Sequence, residues 1–160
     1  KTLVLVFHED LSKSERNKII VEYLKKKENI KIIDVVKEYK PKDQKSIEYF
    51  QAEMLAVDRI VFQYPCYWVA MPGFAKSFID ETFQLNFAYQ FSEDRTAKLK
   101  GKIFKFITTT GSPSLDEKLT MECMEQFPKM LADYTGMKYE EPFVFFGQDT
   151  EEKLEALKLQ

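Results

Sequence analysis

At 160 residues, 44% hydrophobic and 14% aromatic, the chain has the length and apolar content of one domain with a sizeable core, read as a single domain over 1–160. A formal net charge of -2, with charged residues at 31% and no long single-sign block, gives no footing for nucleic acid or an anionic membrane surface. Cys66 and Cys123 lie far apart without metal-ligand spacing, which fits free thiols in a reducing cytoplasm and no metal site.

Thr2 to Phe7 is a short β-rich apolar run, too brief for a signal-peptide core or a membrane span. It reads as a first strand buried on both faces. His8 to Lys13 is a polar loop, and Ser14 is placed to cap a helix whose apolar face is Ile19, Ile20, Tyr23 and Leu24. Lys25-Lys26-Lys27 is the solvated end of that helix, and Asn29 closes it. Ile30 to Val36 gives a second strand. Pro41 opens a second helix, with Ile47, Phe50 and Met54 at helical spacing. Arg59 to Tyr64 is a third strand that breaks at Pro65 into an aromatic loop carrying the sole tryptophan, Trp68.

Pro72 to Phe83 is a third helix, proline fitting a first turn where its missing donor is not needed. Asn86 to Lys100 is a loop. Lys102 to Thr108 is a fourth strand ending in Thr109-Thr110-Gly111-Ser112-Pro113. Leu115 to Thr135 is helical with a kink or break expected at Pro128, and Gly136 stops it. The second half of Met137 to Phe146 is a fifth strand, because Pro142 interrupts pairing. Thr150 to Leu159 is a closing amphipathic helix.

Alternating strands and helices, the strands with little polar alternation, predict an α/β fold: a doubly wound, five-stranded parallel sheet in the order 2-1-3-4-5 with helices on both faces. In that order strands one, three and four are neighbours. Their C-terminal ends carry His8, the Pro65–Val69 loop and the Thr108–Ser112 turn, which therefore meet at the switch point where open α/β sheets bind ligands. The first glycine is Gly73, so the first strand–helix turn is neither a dinucleotide fingerprint nor a P-loop. Its helix N-terminus still suits an anion, and Ser12, Ser14, Arg16 and Asn17 surround it with donors.

A phosphate beside a hydroxyl-rich loop, next to an aromatic loop, describes a mononucleotide with a planar ring, and flavin mononucleotide meets both requirements. The plainer readings stand beside it. Ser14 caps a helix and Arg16 is solvated; Tyr67 and Trp68 pack into the core; the threonines finish a strand; His8 is bonded at a strand end; Cys66 is a small packed residue. The position of the aromatic pair beyond a strand end favours a ring pocket.

The sequence resembles the flavodoxin-like NAD(P)H:quinone oxidoreductases, most closely their short bacterial general-stress and potassium-efflux ancillary members. The resemblance rests on His8 with Ser14 and Asn17, Ile60 to Trp68 with Pro72 and Lys76, and Phe87-Ala88-Tyr89. It continues in Leu99 to Lys102, Thr109-Thr110-Gly111, and Gly136 to Tyr139 before Pro142. It implies a non-covalent FMN, with FAD as the alternative. His8, Ser14, Arg16 and Asn17 would lie by the phosphate and ribityl chain, Pro65, Cys66, Tyr67, Trp68 and Val69 against the ring, and Thr109, Thr110, Gly111 and Ser112 along its polar edge.

It further implies a homodimer with the site at the subunit interface and ping-pong transfer of two electrons from NAD(P)H to a quinone or similar small electrophile. A flavin-bearing subunit of a glutathione-gated potassium efflux system, with a membrane transporter as partner, and a flavodoxin-like electron carrier are the alternatives. The sequence departs from the family after Gly111. Ser112-Pro113 replaces a second glycine, and Ser114 to Glu122 is short and lacks the tyrosine and histidine that relatives place over the flavin. Tyr67 and Tyr89 are the candidates to take their catalytic place.

Overall fold

The computed structural model describes residues 1–91, 97–111 and 117–159. Strands β1 (Thr2–Val6), β2 (Ile30–Asp34), β3 (Arg59–Pro65), β4 (Ile103–Thr109) and β5 (Lys138–Tyr139) form a sheet in the order β2-β1-β3-β4-β5, as the alternation predicts. Among the described residues its strands all pair parallel. A sixth strand, β6 (Phe143–Phe145), also pairs with β4. The expected fifth strand is thus two short ones on either side of Pro142, both laid along β4: Lys138–Tyr139 at its start and Phe143–Phe145 at its end.

The helices are α1 (Glu15–Lys25), α2 (Val35–Glu38), α3 (Gln44–Leu55), α4 (Gly73–Thr82) and α5 (Glu117–Thr135). All five residues of β1 are buried, and alternate ones feed two cores. Leu3, Leu5 and Phe7 join Phe62, Phe78, Phe104 and Phe106 on the face covered by α3, α4 and α5. Val4 and Val6 join Val61, Ile107, and Ile20, Val21 and Leu24 of α1 on the other. Phe78 of α4 meets Phe7, Tyr39 and Phe50 edge-on at 5.0–5.2 Å. Such pairs add about 0.5–1.5 kcal/mol each beyond burial, and here they pin the middle of α4 beside the end of β1.

Several boundaries differ from the sequence reading. The second strand ends at Asp34, where Val35–Glu38 turns into the short α2. α3 starts at Gln44, because the Asp43 carboxylate accepts from the Ser46 amide and supplies the cap, while Pro41 stays in the turn before it. Pro65 is the last residue of β3, paired with Thr109, and not the point where the strand breaks. Its lack of an N–H is tolerated at a strand end.

α5 runs through Pro128, which removes a single backbone bond while buried Met124 and Ala132 hold the turns on either side to the core. Leu115 lies outside the described residues. The closing helix is 3₁₀, over Glu151–Ala156, with Leu154 and Leu157 buried against the α1 face. A 3₁₀ turn also spans Leu11–Lys13 in the first loop. Gly136 stops α5 with φ +71°, as expected of a left-handed stop.

Candidate ligand site at the C-terminal edge of the sheet

The three segments singled out in the sequence end side by side. β1 and β3 are in register up to Val6 opposite Gln63, and the Phe7 amide continues the ladder to the Gln63 carbonyl at 2.8 Å. β3 and β4 are paired to Pro65 opposite Thr109, and the Cys66 amide reaches the Thr109 carbonyl at 2.7 Å. His8, the 65–70 loop and the Thr109–Gly111 turn therefore leave the same edge of adjacent strands.

Ser14 caps α1, its hydroxyl oxygen accepting from the Asn17 amide at 3.2 Å. The first turn of α1 leaves amides without intrahelical acceptors, at the positive end of the helix dipole. His8 Nδ1 accepts from the Asp10 amide at 3.1 Å, so the neutral ring carries its proton on Nε2. The Asn17 side chain, 3% exposed, donates to Ser14 Oγ and to Thr109 Oγ1, each at 2.9 Å. Beneath it, fully buried Gln63 donates from Nε2 to Asn17 Oδ1 at 2.5 Å. One hydrogen-bonded chain thus joins the α1 cap to the ends of β3 and β4.

After Pro65 the chain makes a two-residue hairpin, with Tyr67 and Ala70 exchanging backbone bonds of 2.9 and 3.1 Å. Its tip residues Trp68 and Val69 both have positive φ, 52° and 61°, the geometry of a tight type I′ turn usually built from glycine and asparagine. Trp68 is 99% exposed and Tyr67 about half, so neither packs into the core. Burial pushes the Cys66 thiol above its ordinary range, opposed in part by backbone donors at Val69 and Ala70, which suits a packed residue and not a nucleophile.

Two cavities flank this loop. One of about 380 Å³ is lined by Phe7, Glu9, Pro65, Tyr67, Pro72 and Gly73 among others. A Cβ added at Gly73 would meet nothing within 4 Å. The other, of about 550 Å³ and mostly apolar, lies between the loop and α5, where Val69, Met71, Lys76, Met124, Phe127 and Met130 border it.

Arg16 donates to the carbonyls of Phe146 and Gly147 and lies over the Phe145 ring, so it ties α1 to the segment after β6 instead of standing solvated. The Thr110 amide is taken by the Phe145 carbonyl at 3.0 Å, and Gly111 is exposed. Tyr89 packs on Tyr134 and Phe91, apart from the linings of both cavities. Ser112 lies outside the described residues. Sequence reasoning missed Gln63; its signal was a lone carboxamide inside the apolar run Ile60 to Tyr64.

An anionic group at the α1 cap, a flat ring against the hairpin, and hydroxyl donors at the end of β4 all find their chemistry here, so the residues present fit a flavin mononucleotide.

Known proteins share this framework. Over 154 residues, 92% of this chain and 85% of the relative, the sequence is 32% identical to general stress protein 14 of Bacillus subtilis (strain 168). Over 114 residues it is 37% identical to the uncharacterized NAD(P)H oxidoreductase YdeQ of the same organism. That alignment covers 71% of this chain and 55% of the relative, so the chain spans about half of that protein's length. The solved structure of general stress protein 14 from Treponema denticola in complex with FMN matches with a TM-score of 0.81 at 23% identity, covering 98% of this chain and 92% of that one, a likeness of fold. The family model described as flavodoxin-like fold matches residues 1–160, and the chain belongs to that family.

Proposed function

We propose that this protein is an FMN-dependent NAD(P)H oxidoreductase that takes two electrons from the nicotinamide and passes them to a quinone or similar small electrophile by a ping-pong cycle. The observation that carries the reading is the junction of an anion-suited helix cap, a fully exposed tryptophan hairpin and a hydroxyl-bearing strand end on one sheet edge. When bound, the flavin supplies the redox chemistry, and the protein's part is to hold and polarise it. Ser14 and the first amides of α1 take the phosphate, with Asn17 holding Ser14 from behind and His8 Nε2–H beside them. Pro65, Tyr67, Trp68 and Val69 wall the ring, and Thr109 and Thr110 meet its polar edge. Tyr67, which lines the smaller cavity, serves as the catalytic donor.

The same reading makes the protein a cytoplasmic homodimer. Phe127, Met130 and Tyr134 follow one another at helical spacing on α5 and are all exposed. Tyr134 touches Tyr89, Tyr89 touches Phe91, and Phe127 and Met130 share a cavity with Val69. A second copy seated on this patch closes the open side of the site and brings Tyr89 to it.

Purified protein mixed with FMN, desalted and scanned should keep a flavin spectrum that bleaches anaerobically with NADPH or NADH and returns with a small quinone. Protein that stays colourless after mixing sinks the reading.

A further inference from the structure

The geometry points to Gln63 as a positioning residue that fixes which way the hydroxyl protons of the cofactor site face. The inference rests on the FMN reading above. Gln63 is 0% exposed and sits one residue from Tyr64 on β3, on the face where Val4, Val6, Val61 and Ile107 make an otherwise apolar wall. A carboxamide there is out of keeping with the packing. It is also incompletely bonded: Nε2 donates to Asn17 Oδ1, but Oε1 has no hydrogen-bond partner among the described residues. An unpaired buried acceptor is destabilising, so something else keeps it there.

Proton direction gives the reason. Asn17 Oδ1 is occupied by Gln63, which leaves its Nδ2 group to face Ser14 and Thr109. Ser14 Oγ then accepts twice, from the Asn17 amide and from Nδ2, and Thr109 Oγ1 accepts once. With both lone pairs engaged by the protein, Ser14 turns its hydrogen outward, and Thr109, accepting from Asn17 on its protein side, keeps its hydrogen for the ligand. The site presents donors to the phosphate at one end and to the polar edge of the ring at the other.

Seating the two carboxamides the other way round would reverse this. Asn17 Oδ1 would collect both hydroxyl protons, and lone pairs would face the anion. Gln63 Nε2–H₂ would then be the orphan, and buried N–H groups go unpaired more rarely than carbonyl oxygens. Gln63 therefore selects the donor polarity of two residues it does not touch, through Asn17.

The test is titration of FMN and of riboflavin, which lacks the phosphate, followed by flavin fluorescence. Native protein is compared with Gln63→Leu, and the same change is made in a Ser14→Ala, Thr109→Val background. Gln63→Leu should bind FMN about tenfold more weakly, the scale of one hydrogen bond to a charged group, with a smaller loss for riboflavin. In the hydroxyl-free background the effect of Gln63→Leu should shrink below about twofold, since the groups it acts through are gone. A residue that only supports the core would weaken both ligands alike in both backgrounds.

Unchanged FMN affinity, equal losses for the two ligands, or a full effect in the hydroxyl-free background each overturn the inference while native binding keeps the FMN reading intact. Native protein that binds neither ligand ends both. Gln63→Met repeats the measurement if leucine disrupts folding, and failure of both variants to fold assigns Gln63 to the core and overturns the positioning role.

Discussion

Asp10 stands at the mouth of the first strand–helix loop, its carboxylate accepting from the Ser12 amide at 3.1 Å and the Ser12 hydroxyl at 2.5 Å, with Lys13 Nζ at 3.1 Å. The Ser12 hydroxyl first, then Lys13, hold its pKa down at about 2 against an ordinary 3.8. A carboxyl depressed by folding contributes stability in full above its unfolded pKa and loses it as the pH falls through the folded one. Carboxyl NMR titration should therefore place the Asp10 midpoint near 2, with the 11–13 turn loosening only on the way down from 3.8. A midpoint at 3.8 would mean that the carboxylate is free in solution.

Single residues were unevenly legible in the sequence. Ser14 reads as a cap because capping is a local pattern, and it is one. Arg16 looks like a surface donor because nothing local says that β6 ends beside it, 130 residues along the chain. Gln63 is legible only as an exception to hydrophobicity, since its partner Asn17 comes from another element.

Among the elements, the hairpin after β3 stores strain. A β-branched residue with φ +61° is an outlier, and such a conformation costs about 1–3 kcal/mol. Val69→Gly should relieve it, raising stability by about 1 kcal/mol and the melting temperature by roughly 2–4 °C. The looser tip should also hold the flavin less well, so that calorimetry and ligand titration move in opposite directions. Loss of stability on Val69→Gly would show that the valine side chain matters more by packing than by strain.

The periodic elements were read correctly because burial on both faces of a parallel sheet writes itself as unbroken apolar runs. Ends were read less well. The 3₁₀ turn at 151–156, closed by bonds such as Lys153 amide to Thr150 carbonyl at 3.0 Å, shares its apolar spacing with an α-helix over so short a span. The split fifth strand depends on how far β4 extends, which its own residues do not encode.

For the whole molecule, Phe127, Met130, Tyr134 and Phe91 are all exposed apolar side chains, and where such residues cluster they mark association sites. Under the homodimer reading, Met130→Glu should weaken self-association by about a hundredfold (~3 kcal/mol), because it buries an unpaired charge. Light scattering across a dilution series reads this directly, and a native protein that is monomeric throughout removes the dimer from the proposal. The sheet order followed from the alternation of elements, and with it the meeting of the three segments. What the alternation leaves out is how far the hairpin tip stands clear of the body.

At the opposite edge of the sheet, the Leu159 carbonyl accepts from Arg59 at 2.7 Å and from the Thr2 hydroxyl at 3.3 Å, so the last described residue is fastened where β1 and β3 begin. Both extremities of the described chain thus lie at the pole away from the hairpin. A label, a solid support or an electrode linker attached to a side chain at this pole would leave the binding edge facing open solution.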